Sequence, residues 1–171
     1  MAQLIETKPE VYDRIMDEWG ESDPALIGVL LNVISTKKSK QMLKLSKTSP
    51  TAEFFIRKKD TLTLVVYETA WERLTPLQQT LLLKGVFSLV SYDTDKEKLN
   101  LDTRPYQDLF NMRHTKDANG NEFLDKYDEA LEVASMVIES IEREKKREKE
   151  EEMEAKRAAK EAKKAAKANK F

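Results

Sequence analysis

The chain has 171 residues, 36 % of them charged, and its formal net charge of −1 hides an asymmetry: residues 1–140 carry 18 basic and 23 acidic side chains, whereas residues 141–171 carry 12 and 8. It contains no cysteine, which excludes disulfides, thiolate zinc sites and a cysteine nucleophile. Residues 1–10 lack the pattern of a signal peptide and no apolar run approaches the roughly 18 residues of a membrane span, so we expect a cytoplasmic protein without a membrane partner.

Two helices are predicted in the N-terminal part of the chain. Pro9 supplies a start signal, apolar residues follow at every fourth position, and Gly20 supplies a stop, so residues 9–20 are predicted to form an amphipathic helix. Asp23-Pro24 repeats the start signal before a long apolar run. That run predicts a second, largely buried helix that ends at about Thr36.

The middle of the chain is predicted to form a three-stranded sheet. The strands are Gln41 to Leu45, Glu53 to Arg57 and Thr61 to Tyr67, and in the third of these apolar and polar residues alternate over most of its length. The link Lys58-Lys59-Asp60 is short enough to join the last two strands as a hairpin. Pro50 would precede the second and third strands, where it disrupts no ladder.

A buried central helix is predicted to follow the sheet. Thr75 and Gln78 form a capping-box pattern with Pro76 at the first helical position. The residues from there to Val90 are apolar on nearly every face, which indicates a buried helix. Gly85 lies inside it, and because glycine costs roughly 1 kcal/mol against alanine in a helix, we expect another element to approach closely there.

A long helix is predicted to end the chain. Residues 91–103 are predicted to form a polar loop, Arg104 to Met112 a short helix, and Asn119-Gly120 a turn before the long helix begins at Asn121. Its inward stripe consists of Phe123, Leu124, Tyr127, Leu131, Ala134, Val137 and Ile138. Because the stripe stops after Ile141, we predict a globular domain over residues 1–140 and a charged, solvated helical tail over residues 141–171.

The tail allows three interpretations. It is rich in helix-forming Glu, Lys, Arg and Ala, so it can be a solvated extension that frays, an arm that binds a polyanion, or, least favoured because no apolar seam continues, a coiled coil. We favour the polyanion arm, because seven basic side chains and only Glu161 as an acid lie between Ala155 and Phe171, and nucleic acid is the commonest polyanion of a cytoplasm. The predicted nucleic-acid-binding residues are Lys156, Arg157, Lys160, Lys163, Lys164, Lys167 and Lys170.

A second basic segment, Arg57-Lys58-Lys59, follows the aromatic pair Phe54-Phe55. Aromatic rings next to basic side chains suit the base stacking and phosphate contacts of single-stranded nucleic acid. A strand with a core-facing phenylalanine and a basic turn explains the same residues, and we favour that structural interpretation. The three basic residues are kept as secondary candidates for nucleic-acid binding.

No catalytic or metal-binding motif is complete in this sequence. His114 is the only histidine and lies in a polar stretch, so we interpret it as a surface residue rather than a general base. The aspartate clusters at 93–95 and 117–121 miss the calcium-loop pattern, and no phosphate-binding or nucleophile-elbow motif occurs. An enzyme whose unrecognised carboxylate site is built on Asp93, Asp95, Asp102 and Asp108 is the competing class.

The order of elements between Glu53 and Phe110 resembles the small zincin-like metallopeptidases encoded by bacteriophages. The resemblance rests on the strand Leu62-Thr63-Leu64-Val65-Val66-Tyr67 and on the turn Ala70-Trp71-Glu72-Arg73-Leu74, which precede a buried helix. That family carries H-E-x-x-H on the helix, whereas the matching positions here are Lys84-Gly85-Val86-Phe87-Ser88, and Arg104-Pro105-Tyr106 stands where a third ligand would fall. The resemblance therefore implies a degenerate member that has lost its metal and its general base.

These features together predict an α+β fold with a small sheet, N-terminal helices, a buried central helix and a long charged C-terminal helix. The predicted function is non-catalytic binding or regulation, by a phage-encoded protein that acts in the host cytoplasm on nucleic acid or a nucleic-acid-associated host machine. No cofactor or metal is expected, and a host protein is the second partner class. The alternatives are a hydrolase with the carboxylate site named above and a structural or assembly protein.

Overall fold

A computed structural model describes residues 3–102 and 120–168, and within the last helix it describes side chains from residue 122 to residue 162. The fold is α+β, as predicted, with a four-stranded mixed sheet, a two-stranded hairpin and a long C-terminal helix. The elements are β1 (Leu4–Ile5), α1 (Pro9–Gly20), a 3₁₀ turn (Pro24–Leu26), β2 (Leu31–Thr36), β3 (Leu43–Lys47), α2 (Pro50–Ile56), β4 (Leu62–Tyr67), α3 (Glu68–Trp71), α4 (Pro76–Phe87), β5 (Val90–Asp93), β6 (Lys98–Leu101) and α5 (Gly120–Ala168). The predicted helix at 104–112 lies outside the described residues.

The larger sheet has the strand order β1-β2-β4-β3. Strands β2 and β4 pair in parallel, from Leu31 opposite Leu62 to Thr36 opposite Tyr67, while β1 and β3 flank them antiparallel. Alternate residues of β4 are completely buried and form the centre of the core. Because parallel strands end at the same edge, the loop after β2 and helix α3 after β4 both start at one edge of the sheet, which we call the carboxyl edge.

The predicted second helix is wrong, because residues 31–36 form strand β2 and only a 3₁₀ turn lies before it. Gly28 has a φ of +93°, a conformation that interrupts a helix and that glycine adopts without strain. The residues after it include the β-branched Val29, Val33 and Ile34, which favour strands. A short apolar run does not distinguish a buried strand from a buried helix, and pairing with β4 decides the outcome here.

The predicted strand at 53–57 is also wrong, because these residues lie in and just after helix α2. Ser49 caps that helix by accepting a hydrogen bond from the Ala52 backbone N–H at 3.3 Å, and Pro50 occupies the first turn. Arg57 ends the helix in the left-handed conformation with a φ of 57°. Residues 58–60 therefore do not join a hairpin, and β4 pairs instead with β3, on the far side of α2 in the sequence.

Two further strand predictions have mixed outcomes. The short strand predicted at 41–45 is confirmed as β3, two residues further along the chain. The polar loop predicted at 91–103 is wrong, because β5 and β6 form an antiparallel hairpin there. The buried side chains of Val90 and Leu99 hold this hairpin on the core, and only its turn is as polar as the sequence suggested.

The prediction of a buried central helix is confirmed, but the helix ends at Phe87, and Val90, its predicted last residue, begins strand β5. Thr75 and Gln78 form the capping box of α4, with hydrogen bonds of 3.3 and 2.9 Å between side chain and backbone in both directions. The close approach predicted at Gly85 is also confirmed, because a Cβ placed there would lie 2.1 Å from the ring of Tyr127 on α5. Glycine at this position lets α4 and α5 pack against each other.

Helix α5 starts where it was predicted, and its buried stripe follows the spacing of a helix packed on one side. The buried side chains are Tyr127, Ala130, Ala134, Ile138 and Ile141. Leu131, predicted to face inward, is 41 % exposed, because the stripe passes through Ala130 and the next position lies about 100° further around the helix. No helix among the described residues has an apolar stretch long enough to cross a membrane.

Candidate nucleic-acid interface

Helix α5 has a packed half and a projecting half. Within the described part of the chain, Lys145 is its last side chain held against the body: its Nζ donates to the Lys37 carbonyl at 3.2 Å and to the Tyr67 hydroxyl at 3.1 Å. The same ammonium lies 5.5 Å from the centroid of the Tyr67 ring, within cation–π range. From 146 to 162 every side chain is exposed, and the helix continues to Ala168, so about 34 Å of helix projects from the body.

The junction between the two halves is fixed by an ion pair. Arg73 donates two hydrogen bonds to the carboxylate of Glu144, at 3.0 and 2.8 Å. These bonds, with a further one from Ser140, lower the pKa of Glu144 to about 2. Ile141, which the predicted boundary assigns to the tail, is 2 % exposed and belongs to the packed stripe. The division at residue 140 stays a prediction, but contacts with the body extend to Lys145.

Acidic and basic side chains are segregated along the projecting half. Residues 148–154 hold five glutamates and one lysine, whereas beyond Ala155 nearly all charges are positive. Two ion pairs, Lys146–Glu150 at 3.8 Å and Lys156–Glu152 at 2.5 Å, join highly exposed side chains. Pairs of this kind contribute at most about 1 kcal/mol to stability, so an anionic ligand can compete with them for the basic groups of the projecting half.

The basic positions near the end of α5 lie mainly on one face. Lys156, Arg157 and Lys160 are exposed there, and the backbone at positions 163, 164 and 167 is helical. Positions 156, 160, 163, 164 and 167 recur at intervals of three or four residues, which places them in one stripe of a helix. Lys170 lies outside the described residues. The structure thus brings six of the seven predicted tail residues onto one continuous helix.

A second group of basic residues, which sequence reasoning missed, surrounds the base of the projecting half. Lys37, Lys38 and Lys40 are exposed in the loop after β2, at the carboxyl edge of the sheet. The hydrogen bond from Lys145 to the Lys37 carbonyl brings this loop against α5. We call Lys37, Lys38, Lys40, Lys145 and Lys146 the basic collar. In the sequence, the only sign of the collar is the lysine run after Thr36, which also fits the end of a helix.

The secondary candidates Arg57, Lys58 and Lys59 lie far from the tail. Helix α2 is attached where β4 starts, because Glu53 accepts a hydrogen bond from the Thr61 backbone N–H at 2.9 Å. The projecting half of α5 leaves from the other end of β4, at Tyr67. Since a strand rises about 3.3 Å per residue, the two regions are separated by roughly 17 Å along this strand. They are two surfaces rather than one.

Phe54 and Phe55 are not part of the core. Their exposed fractions are 78 % and 77 %, so the core-facing phenylalanine that we favoured on sequence grounds is wrong. The reason is the helical conformation of α2, whose opposite side, with Ala52 and Glu53, faces the body. The two rings contact each other edge to face, with centroids 5.8 Å apart.

The described aspartates that were considered for a carboxylate site do not converge. Asp93 accepts hydrogen bonds from the backbone N–H groups of Asp95 and Lys96, at 3.2 and 3.1 Å, and so closes the turn of the β5–β6 hairpin. Asp102 follows β6 at the other end of the hairpin, roughly 13 Å away by strand length. Asp108 and His114 lie outside the described residues. Among those described, no group of three potential metal-ligating side chains was found.

One buried carboxylate escaped the sequence analysis. Glu68 is 6 % exposed and accepts hydrogen bonds from the Ser35 hydroxyl at 2.7 Å and from the Lys8 backbone N–H at 3.1 Å. Ser35 is completely buried, so it cannot meet a substrate. These bonds tie the start of α1 to the sheet, and we assign Glu68 a structural role.

The helix positions that would carry the zinc motif of the resembling family have other contacts. Lys84 is exposed, Gly85 lies against Tyr127, and the Ser88 hydroxyl donates to the Gly85 carbonyl at 2.7 Å. The positions at 104–106 lie outside the described residues. Comparisons with protein-family models, curated protein sequences and solved structures gave no match. A functional assignment must therefore start from the surfaces of this chain itself.

Proposed function

We propose that this chain is a non-catalytic regulatory protein that binds nucleic acid, alone or within a nucleic-acid-associated machine, through the phosphate backbone. The observation that carries the proposal is the projecting half of α5: a helix with no packing partner on the described body, whose last basic positions share one face. Such a face matches a linear array of phosphates. The basic collar, which lies at the carboxyl edge of the sheet where the projecting half begins, offers further contacts to phosphates.

The binding should be independent of sequence. Lysine and arginine on this projecting helix neutralise phosphates and release counterions, and contacts to phosphates carry no sequence information directly. The glutamates at 148–154 repel the same polymer, so they separate two contact zones, the end of the helix and the collar. The remaining body is acidic overall, which leaves little long-range attraction without the tail.

The test is a fluorescence-anisotropy titration with a short labelled duplex at two salt concentrations. The seven basic groups of the tail should contribute a salt slope no steeper than about −6, at about −0.9 each, and contacts of the basic collar would add to it. Removing residues 155–171 should abolish the binding. Changing Lys156 and Lys160 to glutamine should weaken it, whereas the same loss of two charges at Lys96 and Lys98, on the β5–β6 hairpin, should not.

Two results would contradict the proposal in different ways. Binding that survives the removal of residues 155–171 would place the site on the body, with the basic collar and Arg57, Lys58 and Lys59 as candidates. Absence of binding by the full chain at low salt would leave a protein partner as the better hypothesis.

The proposal that the chain is not an enzyme has its own test. Elemental analysis of the purified protein after dialysis should find no stoichiometric zinc, because the positions at 84, 85 and 88 offer no imidazole or carboxylate. About one zinc per chain would refute the view of a degenerate metallopeptidase. Turnover of a substrate that is lost on changing Asp93, Asp95, Asp102 or Asp108 would favour the hydrolase instead.

A further inference from the structure

The tip of α2 combines exposed aromatic rings with unpaired cations. Phe54 and Phe55 are more than three-quarters exposed, so two large apolar side chains remain in contact with water, which is unfavourable. Ile56, beside them, is 40 % exposed. Single exposed apolar residues are ordinary, but three in succession form a contiguous patch of the kind that marks a binding surface.

The fold gives the tip a rigid base. Ser49 caps the start of α2, Glu53 accepts hydrogen bonds from Thr61, and the Lys58 backbone N–H donates to the Glu53 carbonyl at 3.3 Å. These contacts fix the helix against the start of β4. The rings are thus held outward by a short, well-anchored helix rather than by a loose loop, and a ligand that stacks on them meets a surface that is already formed.

Three cations follow the aromatic rings directly. Arg57, Lys58 and Lys59 are exposed, and none of them forms an ion pair with any residue that the structure describes. An anionic ligand could therefore reach all three without breaking an existing interaction. Aromatic faces next to unpaired cations provide the two contacts that a single strand needs, stacking for the bases and neutralisation for the phosphates.

A shallow groove continues from the tip across the sheet. It has a volume of about 420 Å³ and is lined by Ile56 of α2, Asn32 and Thr63 of the neighbouring strands, and Tyr12 of α1, among others. Tyr12 is 41 % exposed and offers a further aromatic ring. The Asn32 amide nitrogen donates to the Leu62 carbonyl at 3.3 Å, and the Thr63 hydroxyl bonds to the Thr48 hydroxyl at 3.0 Å. The Asn32 amide oxygen can accept a hydrogen bond from the edge of an unpaired base, which a duplex does not present in this way.

We infer that the tip of α2, with Phe54 and Phe55 as stacking platforms and Arg57, Lys58 and Lys59 as phosphate contacts, binds single-stranded nucleic acid. The inference deepens the proposed function, because it assigns unpaired strands to this surface and backbone binding of any nucleic acid to the tail. The charge of the patch favours a polyanion, and the two adjacent aromatic rings favour one with exposed bases.

The experiment compares full-length variants on a labelled oligothymidylate, on a duplex of equal length, and on vesicles of zwitterionic or anionic lipid. The variant Phe54→Leu/Phe55→Leu keeps the patch apolar but removes its π faces. It should lower affinity for the single strand by roughly tenfold or more and leave duplex affinity unchanged. Phe54→Trp/Phe55→Trp should retain or strengthen single-strand binding. The control is Leu77→Ala, which removes an exposed apolar side chain elsewhere.

The outcomes separate this inference from the proposed function. Unchanged single-strand affinity in the leucine variant, with duplex binding intact, would overturn the inference and leave the proposed function standing. Loss of duplex and single-strand binding to the same extent would also overturn it. Vesicle binding that the leucine variant keeps and Phe54→Asp/Phe55→Asp loses, without any effect on the single strand, would assign the patch to a lipid surface instead. If the full chain bound neither nucleic acid, both proposals would fail.

Discussion

The two halves of helix α5 share one continuous backbone but are stabilised by different interactions. Up to Lys145 the helix is held by its buried stripe against α4 and by the bonds of Glu144 and Lys145 to the body. From Lys146 to Ala162, the last side chain that the structure describes, it has only intrinsic helix propensity and exposed ion pairs. Burying a large apolar side chain stabilises the fold by about 1.5–3 kcal/mol, whereas an exposed ion pair on a helix contributes about 0.2–0.5 kcal/mol. The first half should therefore determine stability, and the second is free to serve binding.

Truncation gives the largest expected contrast between the halves. A chain that ends at Lys149 should melt cooperatively at nearly the temperature of the full chain, because it keeps all the side chains of α5 that the structure describes as buried. A chain that ends at Ala130 loses Ile138 and Ile141 from the core and should lose several kcal/mol, enough to unfold a domain of this size. Thermal melts followed by circular dichroism measure both. A large loss of stability in the longer chain would mean that the projecting half docks on the body.

Single substitutions sharpen the same contrast. Ile141→Ala removes a side chain that is 2 % exposed and should lower the free energy of unfolding by about 2–5 kcal/mol. Met153→Ala removes one that is 57 % exposed and should change it by less than about 0.5 kcal/mol. Chemical denaturation of the two variants provides the measurement, and equal effects would contradict the division of α5 into two halves.

Gly85 tests how tightly the packed half fits against α4. In Gly85→Ala the new methyl group would overlap the ring of Tyr127, so overpacking of about 1–3 kcal/mol should outweigh the gain of roughly 1 kcal/mol in helix propensity. The control is Gly20→Ala, where nothing lies within 4 Å of the added carbon. Combining Gly85→Ala with Tyr127→Leu should recover part of the lost stability. A double-mutant cycle in which the two changes in unfolding free energy simply add would contradict the predicted clash between these residues.

The ion pair at the junction should give the smallest effect, and one that depends on pH. The folded pKa of Glu144 is about 2, below its ordinary value of 4.5, so its stabilising contribution is present above pH 4.5 and is lost as the pH falls towards 2. The difference in melting temperature between the wild type and Arg73→Gln should therefore close over that range. Arg157→Gln is the control, because it makes an equal charge change at an exposed position of α5 that forms no ion pair with any described residue. A difference that stays constant from pH 7 to pH 2 would contradict the pairing.

Local signals determined the elements that depend on local interactions. The start and stop signals at Pro9 and Gly20, the capping box at Thr75 and the buried character of α4 could all be read from neighbouring residues, because caps and helical periodicity act over one or two turns. The charge segregation of the tail was equally visible. The cost of glycine in a helix predicted that another element approaches closely at Gly85, but it could not predict that this element contributes Tyr127.

Tertiary structure decided what depends on pairing between distant segments. Residues 31–36 form a strand because they pair with β4, and residues 98–101 form a strand because they pair with β5. A short apolar or polar run by itself fits more than one conformation. The helical conformation of α2 turned Phe54 and Phe55 outward and away from the tail. The parallel pairing of β2 and β4 brought Lys37 to Lys145, which no spacing in the sequence could show, because an interaction between residues 108 positions apart exists only once the sheet and the long helix have formed.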